Sequence, residues 1–169
     1  ADEVMSGFGR TGRWFAVDHW GVSPDLLTMA KGLTSGYAPL GAVAMRPEIA
    51  EFFNERVYQG GLTYNGHPVS LAAAIANIEV MRQQSIVEHA AQMGPALHRM
   101  LNDLGENHPS VGEVRSIGLF GIIELVKNRR TREPLTPFDE SGPVMAKLRK
   151  RIQELGVFLY THWNTVLII

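Results

Sequence analysis

Lys31 is the only charged residue in LLTMAKGLTSGYAPLGAVAM, residues 26–45. An apolar run leads into it and Gly32 follows, so the sequence predicts an ammonium partly withdrawn from water. Desolvation favours the neutral amine, and a neutral lysine amine can form a Schiff base with a carbonyl compound. A structural or phosphate-binding lysine fits the same spacing. The other lysines, Lys127, Lys147 and Lys150, lie in a polar turn or on a charged helix face, where solvation accounts for them.

Two more stretches carry chemistry. Asp2, in DEV at 2–4, puts a carboxylate at what reads as a strand end. It suits a cap, an ion-pair partner, a metal ligand, or the partner of a protonated ring nitrogen in a pyridine cofactor. GGLTYNGHP, residues 60–68, offers backbone amides and the Thr63 hydroxyl to a phosphate, and it also reads as an ordinary loop. GFGRTG at 7–12 has a nucleotide-loop look, but it lacks the leading strand and following helix that such a loop requires. The histidines show no ligand spacing, and there is no cysteine, so no metal site is expected.

Taken in order, DEVMSGFGRTG, SPDLLTMAKGLTSGYAPLGAV and LTYNGHPVSLAAA resemble the class III (omega) aminotransferases of pyridoxal-phosphate fold type I. The resemblance covers almost the whole chain. It is most specific through about Ala74, and VRSIGLFGIIELV resembles strands of that family's small domain. It implies that Lys31 binds pyridoxal 5′-phosphate covalently and later shuttles a proton between substrate and cofactor. It implies that Asp2 pairs with the pyridinium nitrogen and that Val4 packs on one ring face. Thr63 is implied to reach the cofactor phosphate, typically that of a partner subunit, which makes the expected assembly a homodimer with shared active sites.

The implied reaction is ping-pong transfer of an amino group from an amine or omega-amino acid donor to a keto acid such as pyruvate. A class III aminomutase or racemase would share Lys31, Asp2 and Thr63, and a catalytically silent relative would keep the fold without the chemistry. The family commonly holds the acceptor carboxylate with an arginine near its C-terminal strands, and FLYTHWNTVLII shows none. His162 stands near that place, as a carboxylate reader when protonated or as a ring stacked beside Trp163. Arg115 reads as support for the strands, and Tyr37 and Trp20 as candidate pocket walls.

These residues must be positioned by an α/β framework. Short apolar strands are expected at 26–30 and 41–45, the second buried on both faces, with a short helix from Pro47 to about residue 53. Leu71, Ala74, Ile75 and Ile78 recur at helical spacing and predict a long helix, to about Gln84, with that stripe inward. A second helix is expected over 86–104, kinked or interrupted at Gly94-Pro95 and stopped at Gly105. Strand-like runs flank Gly118, NRRTREP reads as an exposed turn, a helix is expected through Val144 and Leu155, and VFLY and VLII close as strands. The resemblance divides this into 1–80, the C-terminal part of a large cofactor domain, and 81–169, the first part of a smaller one.

A hydrophobic share of 45% and a charged share of 20% are globular values. A net charge of −1 supplies no general attraction to nucleic acid or an anionic membrane. No apolar run approaches the roughly 20 residues that cross a bilayer, and a cytoplasmic enzyme is expected. The start lacks Met and the end stops on TVLII, so the chain reads as an internal piece lacking a family N-terminal half and C-terminal end. As such it is expected to form no complete site alone.

Overall fold

A computed structural model describes residues 1–140 and 142–169. The chain is α/β and divides into two compact units, Ala1–Ala90 and Ala91–Ile169. No helix among the described residues is long and apolar enough to cross a membrane.

In the first unit, residues 1–3 run parallel to β1 (Leu26–Met29), and β1 pairs antiparallel with β2 (Ala42–Met45), Leu27 opposite Ala44. β2 differs from expectation: all four of its residues are exposed, because it is the outer strand of a two-stranded ladder that no other element of this unit covers. α1 (Pro47–Glu51) is shorter than expected. α2 (Pro68–Gln83) starts with Pro68 in its first turn, where a missing N–H costs nothing.

The inward stripe of α2 is the expected one only in part: Ala74 is buried and Ile78 half-buried. Leu71 and Ile75 are 43% and 60% exposed, whereas Ser70, Ala74 and Met81 are buried. Asn77 lies on the same turn-by-turn row and is half-buried. The stripe facing in therefore contains polar residues, and the reason lies in the loop it meets: that loop has backbone carbonyls that need donors.

α3 (Ile86–Asn107) begins in the first unit and ends in the second. It is not interrupted at Gly94-Pro95, and it runs past Gly105, where a stop was expected. Packing overrides propensity at Gly94, where a Cβ would stand 3.0 Å from Gly118 Cα. At the other end Arg129 donates to the carbonyls of Gly105, His108 (2.8 Å) and Val111 (2.9 Å), which supplies partners that a helix C-terminus otherwise lacks. The helix then stops two residues before Pro109.

The second unit is an antiparallel sheet in the order β3 (Val111–Ile117), β4 (Phe120–Asn128), β7 (Thr165–Ile168), β6 (Tyr160–His162). β3 and β4 form a hairpin about Gly118 (φ 55°). The expected turn at 128–134 contains a short strand, β5 (Glu133–Pro134), paired to β4. VFLY is mostly not strand; only its last residue enters β6. Leu101 of α3, Ile123 and Leu125 of β4, Val166 of β7 and Met145 of α4 (Pro143–Glu154) form the core.

Candidate active site

Period-two alternation in the first three residues sets the site up. Thr28 N–H donates to the Ala1 carbonyl and Glu3 N–H to the Thr28 carbonyl, each at 2.9 Å. Asp2 thus sits opposite Thr28, and β1 runs from there into Lys31 three residues on. Successive side chains of an extended segment point to opposite faces, and here Asp2 is exposed while Glu3 is 2% exposed.

Glu3 is an anchor that the sequence analysis missed. Its carboxylate accepts from the backbone N–H groups of Ala16 (3.0 Å) and Val17 (2.8 Å) and from the Ser6 hydroxyl (2.5 Å). It closes the 7–15 loop onto the 3-10 turn Ala16–Trp20 and fixes the segment on which Asp2 stands. Asp2 Oδ1 accepts from Val4 N–H at 3.0 Å. Oδ2 has no hydrogen-bond partner among the described residues.

Lys31 opens the 3-10 turn Lys31–Leu33 in the left-handed region, φ 41°. Ser35 (φ 50°) and Gly36 (φ 79°) follow in the same region. Such conformations in non-glycine residues cost on the order of 1–3 kcal/mol each and persist where surrounding structure over-determines them. The turn is held by its own bonds, Leu33 N–H to the Ala30 carbonyl (2.9 Å), Thr34 N–H to the Lys31 carbonyl (3.2 Å) and buried Thr34 Oγ1 to the Ala38 carbonyl (2.6 Å). α2 holds it too: Asn77 Nδ2 donates to the Gly32 carbonyl (2.9 Å) and the Leu33 carbonyl (3.2 Å), and Asn77 Oδ1 accepts from the Ser35 hydroxyl (2.7 Å). A polar residue on the row of Ala74 and Met81 was the only available sequence signal for this role.

Lys31 is exposed rather than withdrawn from water as expected, because no element among the described residues covers it. Its amine has no ion-pair partner among the described residues. Gly32 lies against the 7–15 loop. A Cβ there would lie 2.8 Å from Phe8 Cβ, so the glycine admits the 7–15 loop against the lysine turn.

Thr63 is exposed in a turn closed by Asn65 N–H on the Leu62 carbonyl (2.9 Å), ahead of α2. Among the described residues no hydrogen bond joins it to the Asp2–Lys31 group. Val4 is half-buried, and Tyr37 and Trp20 are exposed. The structure therefore sets Asp2 beside Thr28 of β1, three residues before Lys31, and among the described residues shows no bond from Thr63 to either.

In the second unit, His162 is exposed on β6. It does not have Trp163 as a stacking partner: that indole packs edge-on against Phe138 (5.2 Å) and donates to the Thr136 carbonyl (2.7 Å). Arg115 pairs with Glu113 at 3.6 Å, as strand support would require. Glu113 also accepts a hydrogen bond from Arg132 and, with Glu124, raises the pKa of that guanidinium. A cavity of about 390 Å³ lies between α4 and β6, lined by Arg149, Lys150, Gln153, Phe158 and Tyr160 among others. No group of three or more His, Asp or Glu side chains among the described residues is arranged to hold a metal.

The donor set is one primary amine and one carboxylate, both accessible and not neutralised by each other. That pair fits a cofactor with an electrophilic carbonyl carbon and a basic ring nitrogen.

Known proteins are similar to this chain in sequence and in fold. The aminotransferase class-III family model matches residues 1–169. A putrescine–pyruvate aminotransferase of Pseudomonas aeruginosa is 48% identical over 138 residues, 80% of this chain and 30% of that protein. A taurine–pyruvate aminotransferase of Bilophila wadsworthia is 40% identical over 140 residues, 79% of this chain and 31% of that protein. The structure of a taurine:2-oxoglutarate aminotransferase from Bifidobacterium kashiwanohense, in complex with PLP and glutamate, superposes with a TM-score of 0.95 at 39% identity, over 99% of this chain and 37% of that one. The chain thus spans about a third of the length of these relatives. It belongs to the class III aminotransferases.

Proposed function

We propose that this chain is the lysine-bearing part of a pyridoxal-phosphate-dependent aminotransferase that moves an amino group from an amine donor to a keto acid such as pyruvate. The observation that carries this reading is Lys31, held in a left-handed turn at the end of the strand that Asp2 pairs with. Residues 1–80 belong on this reading to the large cofactor domain and 81–169 to the small one. The relatives' putrescine–pyruvate and taurine–pyruvate activities favour transfer over isomerisation by an aminomutase or racemase.

Each residue has a defined part. Lys31 Nζ would hold the cofactor's carbonyl carbon and, once displaced by the substrate amine, carry a proton between substrate carbon and cofactor carbon. Asp2 Oδ2, free of other partners, would keep the ring nitrogen protonated. Val4 would press on a ring face, and the Thr63 hydroxyl would bind the phosphate across a homodimer interface. The cofactor, when bound, supplies an electron sink for the pair left as the substrate C–H bond breaks. Two half-reactions sharing one lysine give ping-pong kinetics.

The test uses full-length protein containing this sequence. It is incubated with pyridoxal phosphate, reduced with borohydride, digested and mapped by mass spectrometry. A covalent adduct on Lys31, lost in a folded Lys31→Ala variant, and formation of alanine from pyruvate and an amine are expected. A folded protein with no adduct at Lys31 would instead be the silent relative.

A further inference from the structure

We propose that Asn77 is a positioning residue for Lys31, acting from α2 through the backbone of the lysine turn; this rests on the reading of Lys31 given above. Three facts converge on it. The turn and the residues just after it contain two non-glycine residues, Lys31 and Ser35, at positive φ, a conformation that needs outside support. Leu33 and Thr34 are buried, so carbonyls beside them are shielded from water and need protein donors. One side chain, 44 and 45 residues away in sequence, meets that need at Leu33 and Gly32 and also accepts from Ser35.

Both amide hydrogens and the amide oxygen of Asn77 are thereby engaged, with Met81 Sδ at 3.7 Å as the remaining neighbour of Nδ2. No other residue type supplies two donors and one acceptor on so short a stem. Asp lacks the donors, Ser has only one, and Gln is a methylene too long for the same approach. Asn77 does not touch the reacting atoms; it fixes the direction in which the Lys31 side chain leaves the backbone.

Asn77→Asp in the full-length protein is the direct test, because it keeps the shape and removes both donors. Without cofactor, amide exchange over residues 31–37 should accelerate about tenfold or more, while β3 and β4 peptides exchange as before. With pyridoxal phosphate loaded, the pH midpoint of the visible absorption of the lysine–cofactor conjugate should move. A displaced amine changes that midpoint, whereas a smaller folded fraction lowers only the amplitude.

Ser35→Ala removes one of the three bonds from the exposed side and should give a smaller change of the same kind. It decides the matter if Asn77→Asp does not fold. Unchanged exchange over 31–37, or an unmoved midpoint in a variant that folds and loads, would overturn the proposal. If the wild type forms no adduct at Lys31, the functional reading fails, while the exchange result still decides whether Asn77 anchors the turn.

Discussion

Gly32 lies so close to Phe8 that the lysine turn leaves no room for a side chain at this position. The atom that a new Cβ at residue 32 would strike, 2.8 Å away, is the Cβ of Phe8 rather than its ring. Gly32→Ala is therefore expected to destabilise the full-length protein by about 1–3 kcal/mol, read as a lower urea midpoint. Phe8→Ala should not rescue it, since alanine keeps the offending atom and only the ring contacts at 3.4 Å disappear. Rescue by Phe8→Ala would show that the ring, not the chain, sets the limit. At this scale the sequence draws the eye to candidates where chemistry is rare, a lone lysine before glycine and an acid in DEV. It is silent about Glu3 and nearly so about Asn77, whose roles depend on partners up to 14 and 45 residues away.

Elements were legible where periodicity is local and misread where tertiary contacts choose among options. α2 has apolar residues on several faces, and the more hydrophobic row, Leu71 and Ile75, looked like the core side. What decided the orientation was the unmet carbonyls of the Lys31 turn, which appear only when the turn is folded. α3 makes the same point with Gly94-Pro95: local propensity argues for a break, but the absent side chain at Gly94 lets the helix lie against the β3–β4 turn. Alanine is the better helix former by about 1 kcal/mol. Even so, Gly94→Ala should lower stability by about 1–2 kcal/mol, because the new Cβ meets Gly118 backbone, which cannot rotate aside. Thermal unfolding of the full-length protein checks the sign, and a stabilised variant would mean that the hairpin gives way freely.

At the scale of the whole chain, apolar residues left in water become the main feature. In the first unit Leu62, Tyr64, Val69 and Tyr37 are between 67% and 88% exposed, and Leu71 and Ile75 add to this along α2. Large apolar side chains left this exposed are normally covered by a partner surface, and a helix apolar on opposite faces is normally covered on both. The 169-residue chain produced by itself is therefore expected to self-associate at micromolar concentration, seen as a sedimentation coefficient that rises with loading. Leu71→Gln with Ile75→Gln should reduce that association, because it places polar groups on the uncovered row without touching Ser70, Asn77 or Met81. The same pair in full-length protein should have the opposite consequence and weaken folding or assembly, since there the row would be buried and the glutamines unpaired. A chain that stays monomeric, or a full-length double variant as stable as the parent, would mean that this face of α2 is a solvent surface after all.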